Sequence, residues 1–261
     1  MSSIEKRNAI ITGAGGGMGR EIARQLAECD IQVALVGRRR APLEETKAII
    51  EQSGGEALVV VADLAKGEDL DRIVDEVHEH FGPVDVLVNN AGSASRVLNL
   101  EYISDEEWTK VVEVNLGAVA HLVQRVLPDM LPRHTGTIVT VSSLAARNPN
   151  LLGGVAYGAA KAGVNNLMQF LHNTYRQEGL RAITVMPGET NTSILDARAN
   201  PPSQVSRERM VQPEDIGAVV ALAVSLPQRT VLSEIVVAPT VQRDIAGDLA
   251  ISRAIGEPDA S

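Results

Sequence analysis

The sequence predicts a doubly wound α/β fold, in which helices cover both faces of a parallel sheet. Short apolar runs alternate with segments of helical spacing from residue 8 to about residue 190. The runs are apolar at every position, as expected for parallel strands that are buried on both faces. Alternation of this length implies right-handed crossovers between the strands. The six predicted strands cover 8–12, 32–36, 57–61, 84–88, 137–141 and 182–186.

Three helices are predicted among the first four strands. The first places Ile22 and Leu26 on one face at helical spacing. The other two cover 42–52 and about 68–80, and both are rich in charged residues.

Two longer helices are predicted after the fourth strand. Ser104 and Glu107 have the spacing of a capping box and are expected to open the first of them. The second runs from Tyr157 to about Glu178. Gly179 stands where a C-terminal cap is expected.

A single domain over 1–261 is predicted, because no internal repeat or low-complexity linker divides the chain. The segment at about 193–210 contains Pro201-Pro202 and many polar residues but no helical stripe. It is predicted to be a mobile lid beside the carboxyl edge of the sheet. The C-terminal tail from about 245 is expected to be loose.

The charge and hydropathy of the chain argue against two classes of partner. Lys and Arg number 24 against 33 Asp and Glu, which gives a formal charge of −9. Nucleic acids and anionic membranes are bound through basic surfaces. The sequence also lacks a run of about 18 apolar residues, the length that a membrane span needs. We therefore expect neither a nucleic acid nor a membrane as partner.

The cellular location is predicted from the cysteine content and the first residues. Cys29 is the one cysteine and cannot form an internal disulfide, which suits a reducing compartment. The first residues lack the apolar core of a signal peptide. A cytoplasmic location is therefore expected.

A glycine cluster at 12–19, T-G-A-G-G-G-M-G, joins the first strand to the first helix. Glycines at this position let the backbone turn sharply and approach a pyrophosphate, which then rests on the helix N-terminus. An ordinary glycine-rich turn would have the same composition. A strict G-x-G-x-x-G does not fit, because Met18, Arg20 and Ile22 occupy the required glycine positions. The spacing fits T-G-x-x-x-G-x-G.

This glycine loop resembles that of the short-chain dehydrogenase/reductase family, and the resemblance extends along almost the whole chain. An N-N-A-G sequence at 89–92 follows the fourth strand, and a P-G-x-x-x-T sequence at 187–192 follows the sixth. The resemblance implies a Rossmann-like fold and an NAD(P)-dependent oxidoreductase. Such an enzyme interconverts a ketone or aldehyde with an alcohol by hydride transfer.

The resemblance also implies which residues contact the dinucleotide. Asp63, after the third strand, matches the acid that contacts adenine in the family. The implied cofactor-binding residues are Gly13, Gly15, Gly17, Met18, Gly19, Arg38, Arg39, Asp63, Leu64, Asn90, Ala91, Gly92, Tyr157, Lys161, Pro187, Gly188, Thr190 and Thr192.

The end of the second strand indicates which dinucleotide is used. Gly37 stands where NAD sites place an Asp or Glu, and three arginines, 38–40, follow it. A carboxylate repels the 2′-phosphate of NADP, whereas an arginine pairs with it in a bidentate manner. The three arginines also fit a solvated loop, and Gly16 stands where many NADP-using relatives carry a basic residue. NADP(H) is therefore favoured, with NAD(H) as the alternative.

Tyr157 and Lys161 lie four residues apart, so a helix places both side chains on one face. A free tyrosine has a pKa of about 10 and is a poor acid–base catalyst near neutrality. A lysine ammonium one turn away, together with an oxidised nicotinamide, is expected to lower that pKa. Tyr157 would then exchange a proton with the substrate oxygen during hydride transfer. Such pairs are common on helix surfaces, so the position of this one after the fifth strand is the supporting context.

The resemblance adds two further catalytic residues. Ser143 would hydrogen-bond the substrate oxygen, with Ser142 as the neighbouring alternative that caps the strand. Asn115 would hold a water that links Lys161 to solvent, although an asparagine in an apolar helix also fits a purely structural role. The five histidines show no metal-ligand spacing, so no metal is expected.

The substrate and the assembly are less sharply indicated. Arg96, Arg147 and Arg198 would each suit a substrate carboxylate, and each also fits a plain surface arginine. A cofactor-binding regulator or scaffold without turnover and a 3-oxoacyl-type reductase are the alternative functions. The resemblance implies a homodimer or homotetramer that assembles through the helices at about 105–130 and 157–178.

Overall fold

The computed structural model describes residues 6–257, apart from the side chain of Ala197. In this part of the chain, seven parallel strands form one sheet in the order β3-β2-β1-β4-β5-β6-β7. The strands are β1 (Asn8–Thr12), β2 (Gln32–Gly37), β3 (Ala57–Val61), β4 (Val86–Asn89), β5 (Gly136–Val141), β6 (Leu180–Pro187) and β7 (Glu234–Val237).

Helices cover both faces of the sheet, so the prediction of a doubly wound fold is confirmed. Two clusters of buried apolar side chains fill the layers: Leu26 and Val220 belong to the first, and Leu122 and Met168 to the second. The described α-helices are α1 (Gly17–Glu28), α2 (Arg40–Gln52), α3 (Gly67–Phe81), α4 (Asp105–Val112), α5 (Ala118–Met130), α6 (Val155–Tyr175), α7 (Gln204–Glu208), α8 (Pro213–Ser225) and α9 (Ala246–Ala254).

The strand order creates a crevice between β1 and β4. The chain adds β2 and β3 on one side of β1 and then returns to place β4 on the other side. The loops after β1 and β4 therefore lead away in opposite directions, which opens a crevice at the carboxyl ends of these strands. The glycine loop follows β1 and Asn90 follows β4. Two of the sequence signatures thus meet where such sheets bind ligands.

The six strands predicted from the sequence are present within two residues, and β7 is an addition. β7 pairs with β6 through Thr184 and Glu234. It has only four residues, and Val236 is 47% exposed. A short, half-exposed edge strand lacks the continuous apolar run that marked the other six strands.

The predicted capping box at the start of α4 is only half formed. Ser104 accepts a hydrogen bond from the backbone N–H of Glu107, as expected. The Glu107 carboxylate does not return to Ser104. It accepts from the backbone N–H groups of Arg96 and Val97 in the loop after β4. The helix start is therefore used to hold that loop.

The long helix predicted after Ser104 contains an irregular segment. A π-helical turn at Glu113–Gly117 separates α4 from α5, and Asn115 lies in its middle, fully buried. The spacing of apolar residues does not reveal this turn, because the helix continues on both sides of it. π-helical turns inside α-helices are frequent at functional sites.

The helix predicted from Tyr157 to about Glu178 begins two residues earlier and ends earlier. α6 covers Val155–Tyr175, and a 3₁₀ turn follows at Arg176–Glu178. Gly179 has a φ of 79° and ends the 3₁₀ turn in the left-handed conformation, so the predicted cap is confirmed.

The segments expected to be irregular contain local helices. A 3₁₀ helix at Ser193–Ala197 and α7 lie within the predicted lid. The tail expected to be loose from about 245 is a helix instead, since α9 spans Ala246–Ala254 and buries Asp248 and Ser252. Because polar residues occupy its buried positions, the sequence of this helix does not show an apolar stripe.

Candidate active site

The glycine loop packs directly against the loop after β4. Gly13 has a φ of 69°, and a Cβ placed on it would lie 2.9 Å from Nδ2 of Asn90. A Cβ on Gly19 would lie 2.1 Å from the carbonyl oxygen of Gly13. Neither position accepts a side chain. A Cβ on Gly16, by contrast, would meet no atom within 4 Å, so that glycine faces open space.

Thr12 joins the ends of β1 and β4, a role that sequence reasoning missed. Its Oγ1 accepts hydrogen bonds of 3.0 Å from the backbone N–H groups of both Asn90 and Ala91. Asn90 in turn donates from Nδ2 to the carbonyl oxygen of Thr12 at 3.0 Å. A threonine at the end of an apolar strand was the available signal, since its hydroxyl had to find a buried partner.

Arg20 supports the outer side of the glycine loop. Its guanidinium donates to the carbonyl oxygen of Gly15 at 3.0 Å and to Oγ1 of Thr46 on α2 at 3.1 Å. The loop is therefore held from β4 on one side and from α2 on the other.

The end of β2 presents the arginines on which the cofactor prediction rests. Arg38 and Arg39 are exposed and make no ion pair with any residue in 6–257. Arg40 pairs with Glu44 at 3.2 Å on α2. Of the three arginines, the first two therefore retain their donors for a ligand.

Asp63 and Leu64 follow β3, beside this edge of the sheet. Asp63 forms a short turn in which its Oδ1 accepts from the backbone N–H of Ala65 at 3.2 Å. Its own N–H donates to Oδ2 of Asp69 at 2.7 Å. The carboxylate of Asp63 keeps its second oxygen available.

Gly92 allows Asn115 and Lys161 to approach the end of β4. A Cβ on Gly92 would lie 2.7 Å from Oδ1 of Asn115 and 3.7 Å from Nζ of Lys161. Only a glycine fits beside these two side chains. The N-N-A-G sequence therefore has a packing function at both ends, through Asn90 and through Gly92.

The Asn115 side chain is occupied by backbone contacts. Its amide donates to the carbonyl oxygens of Ser93 and Val111, both at 2.8 Å, and its Oδ1 accepts from the N–H of Ser93 at 3.3 Å. The predicted water relay through Asn115 would therefore have to use its backbone, because the side chain holds the loop after β4.

The two serines after β5 have different partners. Ser142 is buried and donates from Oγ to the carbonyl oxygen of Lys161 at 3.3 Å. Ser143 Oγ accepts from the N–H of Ala145 at 3.1 Å, and its hydroxyl lies close enough to Tyr157 to act on the pKa of that phenol. Ser142 thus anchors α6, while Ser143 faces the tyrosine.

Tyr157 and Lys161 lie together on α6, and burial governs the ionisation of both. Lys161 Nζ lies 5.6 Å from the centroid of the Tyr157 ring and donates to the carbonyl oxygen of Val141 at 2.8 Å. Burial raises the pKa of Tyr157, and the hydroxyl of Ser143 opposes this effect. Burial lowers the pKa of Lys161 to about 8.

The lowering of the tyrosine pKa was predicted for the site with an oxidised nicotinamide beside it, and it stays a prediction. In the protein alone, the loss of solvent around the phenol disfavours the phenolate. The tyrosine is held as the neutral acid.

The segment after β6 approaches the glycine loop, as the sequence signatures predict. A Cβ on Gly17 would lie 3.4 Å from the methyl group of Thr192. Gly188 is fixed to the sheet edge by a hydrogen bond from its N–H to the carbonyl oxygen of Val237, at 2.7 Å. Thr190 donates from Oγ1 to the carbonyl oxygen of Gly188 at 3.2 Å.

An ion-pair network that sequence reasoning missed joins this segment to the C-terminus. Glu189 accepts from Arg198 at 2.6 Å and from Arg243 at 2.8 Å through both carboxylate oxygens. Arg243 also pairs with Asp248 of α9 at 2.5 Å. Asp248 accepts from Asn200 at 2.6 Å. The network connects the segment after β6, the predicted lid and α9.

The three arginines considered for a substrate carboxylate have different environments. Arg198 is committed to Glu189, and Arg147 forms an ion pair with Glu234 of β7. Arg96 makes no ion pair among residues 6–257. Two of these residues are therefore explained by protein contacts.

The described residues contain neither a cluster of metal-binding side chains nor a helix that could span a membrane. Within 6–257, no group of three or more His, Cys, Asp and Glu side chains is arranged to hold a metal ion. None of the helices in this range combines the length and the apolar composition that crossing a bilayer requires.

Comparison with known proteins agrees with this geometry. A family model described as short chain dehydrogenase matches residues 7–202. The chain belongs to this family. An uncharacterized oxidoreductase of Listeria monocytogenes is 31% identical, over 92% of this chain and 99% of the relative. The short-chain dehydrogenase assignment makes the protein an oxidoreductase.

Two further members of the short-chain dehydrogenase family are informative. A 3-oxoacyl-[acyl-carrier-protein] reductase of Staphylococcus epidermidis is 35% identical, over 84% of this chain and 91% of the relative. A metagenomic short-chain oxidoreductase, whose crystal structure was solved in complex with NADP, is 33% identical in sequence to this chain. It has a TM-score of 0.79 and covers 92% of this chain and 100% of that chain.

The buried lysine predicts a specific dependence of stability on pH. The native pKa of Lys161 is about 8, below its ordinary value of 10.5, so the unfolded chain holds this proton more tightly. The penalty for burying the ammonium is full below pH 8 and is relieved as pH rises towards 10.5. Relative to Lys161→Met, the wild type should gain about 2 kcal/mol of unfolding free energy between pH 7 and about 9.5.

Urea unfolding of both proteins across this range measures the effect. Lys110→Met, which removes an exposed lysine on α4, is the matched control and should track the wild type. A stability difference between wild type and Lys161→Met that does not change with pH would show that Lys161 is not a buried ammonium.

Proposed function

We propose that this oxidoreductase interconverts a ketone or aldehyde and an alcohol with NADP(H), using Tyr157 as the general acid and base. The observation that carries the proposal is the placement of Tyr157 beside Ser143, with the ammonium of Lys161 over its ring at 5.6 Å from the centroid. These side chains lie beyond the carboxyl ends of β4 and β5, next to the crevice. The intact set argues against a regulator or scaffold that lacks turnover.

The residues around the crevice fit a dinucleotide. The pyrophosphate would rest against 13–19 at the N-terminus of α1, where the open space at Gly16 leaves the backbone accessible. Oδ1 of Asn90 is buried and has no partner in the described residues. The adenine end would meet Asp63 and Leu64, and Thr192 would lie toward the nicotinamide.

The end of β2 favours NADP over NAD. Arg38 and Arg39 follow β2, are exposed and make no ion pair with any residue in 6–257. Gly37 places no carboxylate beside them. A guanidinium pairs with a phosphate through two parallel hydrogen bonds. The structural neighbour crystallised with NADP supports the same choice. NAD(H) remains the alternative.

The mechanism follows from the side chains that surround the substrate oxygen. When bound, the dinucleotide would supply a hydride to the carbonyl carbon during reduction and would take one from the alcohol carbon during oxidation. Ser143 would donate a hydrogen bond to the carbonyl oxygen and stabilise the charge that develops there. Tyr157 would give its phenolic proton to that oxygen during reduction and take it back during oxidation.

Burial prepares the tyrosine for reduction. Its raised pKa keeps the proton on the phenol, so the acid needed to protonate an alkoxide is present at neutral pH. Lys161 would then return a proton toward Tyr157, since its own pKa of about 8 lets it lose one near neutrality. A water held by the backbone of the π-helical turn around Asn115 would pass protons between Lys161 and solvent.

A 3-oxoacyl-type reductase is the second candidate. The 35% identity to the Staphylococcus epidermidis enzyme favours it, because that relative covers most of the chain. A glycine pair typical of those reductases is absent at Ala238-Pro239, after β7. A panel of ketones, β-keto acids and aldehydes tested with NADPH separates a 3-oxoacyl substrate from others.

The tyrosine assignment predicts the behaviour of Tyr157→Phe. The variant keeps the ring but loses the transferable proton, so turnover should fall by at least about a hundredfold, the scale of a lost general acid. Affinity for the dinucleotide should be nearly unchanged. Tyr175→Phe, at the other end of α6, is the matched control and should keep wild-type turnover. Wild-type turnover in Tyr157→Phe on a confirmed substrate would refute the assignment.

The cofactor assignment predicts tighter binding of NADPH than of NADH. Gly37→Asp combined with Arg38→Ala should reverse this order, because the new carboxylate repels the 2′-phosphate and the pairing guanidinium is lost. Fluorescence titration of both dinucleotides measures the change. Arg40→Ala, which removes an arginine already paired with Glu44, is the control and should keep the order. A wild-type preference for NADH would contradict the assignment.

The segment at 193–210 is proposed to act as a lid over the substrate. Leu195 and Met210 are buried at its two ends, and Arg198 is tied to Glu189. Ile194 and Val205 in the same segment expose 55% and 63% of their surface, although both are apolar. An ordered substrate would give these side chains a surface to cover and would exclude water from the reacting atoms.

The lid predicts a ligand-dependent change in hydrogen exchange. Backbone amides in 193–210 should exchange fast in the free protein, because the segment has few apolar anchors, and slow when NADP(H) and a substrate analogue are both bound. β5 and α6 should be protected in either state. Slow exchange across 193–210 without ligands would make the segment part of the fixed scaffold.

An assembly of two or four copies in the cytoplasm completes the proposal. Phe170 on α6 is 56% exposed, on one of the helices through which the resemblance implies association. A large aromatic side chain in water favours contact with a second surface. Light scattering that shows a stable monomer at micromolar concentration would contradict this part.

A further inference from the structure

A cavity lies near the amino end of β6, whereas the crevice lies at the carboxyl ends of the strands. Its volume is about 340 Å³, and it is bounded by the end of α6, the start of β6 and the connection between α8 and β7. β6 runs for eight residues between this cavity and the segment after Pro187, which separates the two regions by roughly 25 Å. The cavity is therefore distinct from the proposed hydride-transfer site.

The buried guanidinium of Arg181 lines this cavity and carries a charge that no carboxylate matches. Arg181 is 3% exposed. It donates to Oγ1 of Thr137 at 2.7 Å and to the carbonyl oxygens of Leu226 and Val224 at 2.9 and 3.0 Å. All of these acceptors are neutral. Burial, together with the nearby charge of Arg7, lowers the pKa of Arg181 to about 10, so it stays protonated at neutral pH.

Two further arginines line the same cavity. Arg176 follows α6, and Arg229 lies between α8 and β7. Both are exposed, and neither makes an ion pair or a side-chain hydrogen bond in the described part of the chain. Three arginines without an acidic partner around one cavity are unusual in a chain with a net charge of −9.

The cavity also contains polar groups that would recognise acceptor oxygens. His172 lines it, and Nδ1 of this histidine is buried with no partner among residues 6–257. Gln228 donates from its side chain to the carbonyl oxygen of Gly179 at 2.6 Å, which fixes that amide at the wall. Buried polar atoms are normally satisfied in folded proteins, so Nδ1 of His172 remains available to hydrogen-bond a group that enters the cavity.

The acidic residue nearest in the sequence does not neutralise this cavity. Glu178 lies between Arg176 and Arg181, but it forms no ion pair with either of them or with Arg229 in the described structure. It also does not line the cavity. The three arginines therefore have no ion-pair partner among the described residues.

We propose that this cavity binds the phosphate group of a small molecule. A phosphate offers several acceptor oxygens, and the planar forks of Arg176 and Arg229 match their geometry in a bidentate manner. The buried charge of Arg181, which lines the same cavity, also attracts the anion. The proposal does not depend on the proposed redox activity, because it uses none of the residues at the crevice.

Calorimetric titration of inorganic phosphate at constant ionic strength tests the proposal on the full chain. The measurements are made in a background that carries both Arg38→Ala and Arg39→Ala, which removes the two arginines expected to bind the 2′-phosphate of the dinucleotide. Phosphate should bind saturably in this background. Adding Arg176→Gln and Arg229→Gln should lower its affinity at least about tenfold, since two charge-assisted pairs are lost.

A matched control separates recognition from general charge. Arg209→Gln and Arg253→Gln together remove two other arginines that make no side-chain ion pair within 6–257, and should leave phosphate binding unchanged. Thermal unfolding verifies that all variants are folded. Arg181 is left intact, because its hydrogen bonds hold β5, β6 and the end of α8 together.

A parallel titration with glycerol phosphate distinguishes the source of the phosphate. Tighter binding of the ester would assign the cavity to a phosphorylated metabolite, and equal binding would assign it to inorganic phosphate; both uphold the proposal. The absence of saturable binding of both, or equal affinity after the loss of Arg176 and Arg229, would overturn it.

Discussion

The buried ammonium of Lys161 is the group around which the neighbouring elements of the candidate site are fitted. Burying an amine costs free energy unless each of its hydrogen bonds is placed, and here Nζ donates to the carbonyl oxygen of Val141 at the end of β5. Ser142 fixes the backbone of Lys161 from the same strand end. Gly92 supplies the space above it. The strand ends, the loop after β4 and α6 thus meet at one side chain.

The same burial accounts for the proposed chemistry. Lys161 is buried and Tyr157 is partly buried, and this loss of solvent raises the pKa of the tyrosine and lowers that of the lysine. A neutral phenol beside a readily deprotonated amine forms a short path for a proton. The ion pairs of Glu189 with Arg198 and Arg243 join the segment after β6 to the proposed lid and to the residues before α9.

The parts predicted from the sequence are those that repeat along the chain or form a contiguous signature. Apolar runs predict the parallel strands, because these strands are buried on both faces. The spacing of the glycines predicts the glycine loop. The hydrogen bonds of Thr12, the π-helical turn around Asn115 and the Glu189–Arg243 pair were not predicted. The hydrogen bonds of Thr12 and the Glu189–Arg243 pair depend on residues brought together from distant parts of the chain, so no local pattern indicates them. The π-helical turn is local, but the apolar spacing continues on both sides of it and does not reveal it. The loss of solvent around Tyr157 is likewise a property of the folded chain.

Transfer of deuterium tests the central claim most directly. NADPH that carries deuterium at the transferable C4 position is supplied with a prochiral ketone that the wild-type protein consumes. The account predicts an alcohol with the label on its carbinol carbon, formed by the wild type and by Tyr175→Phe but at least about a hundredfold more slowly by Tyr157→Phe. Oxidation of NADPH that yields no labelled alcohol would contradict the account.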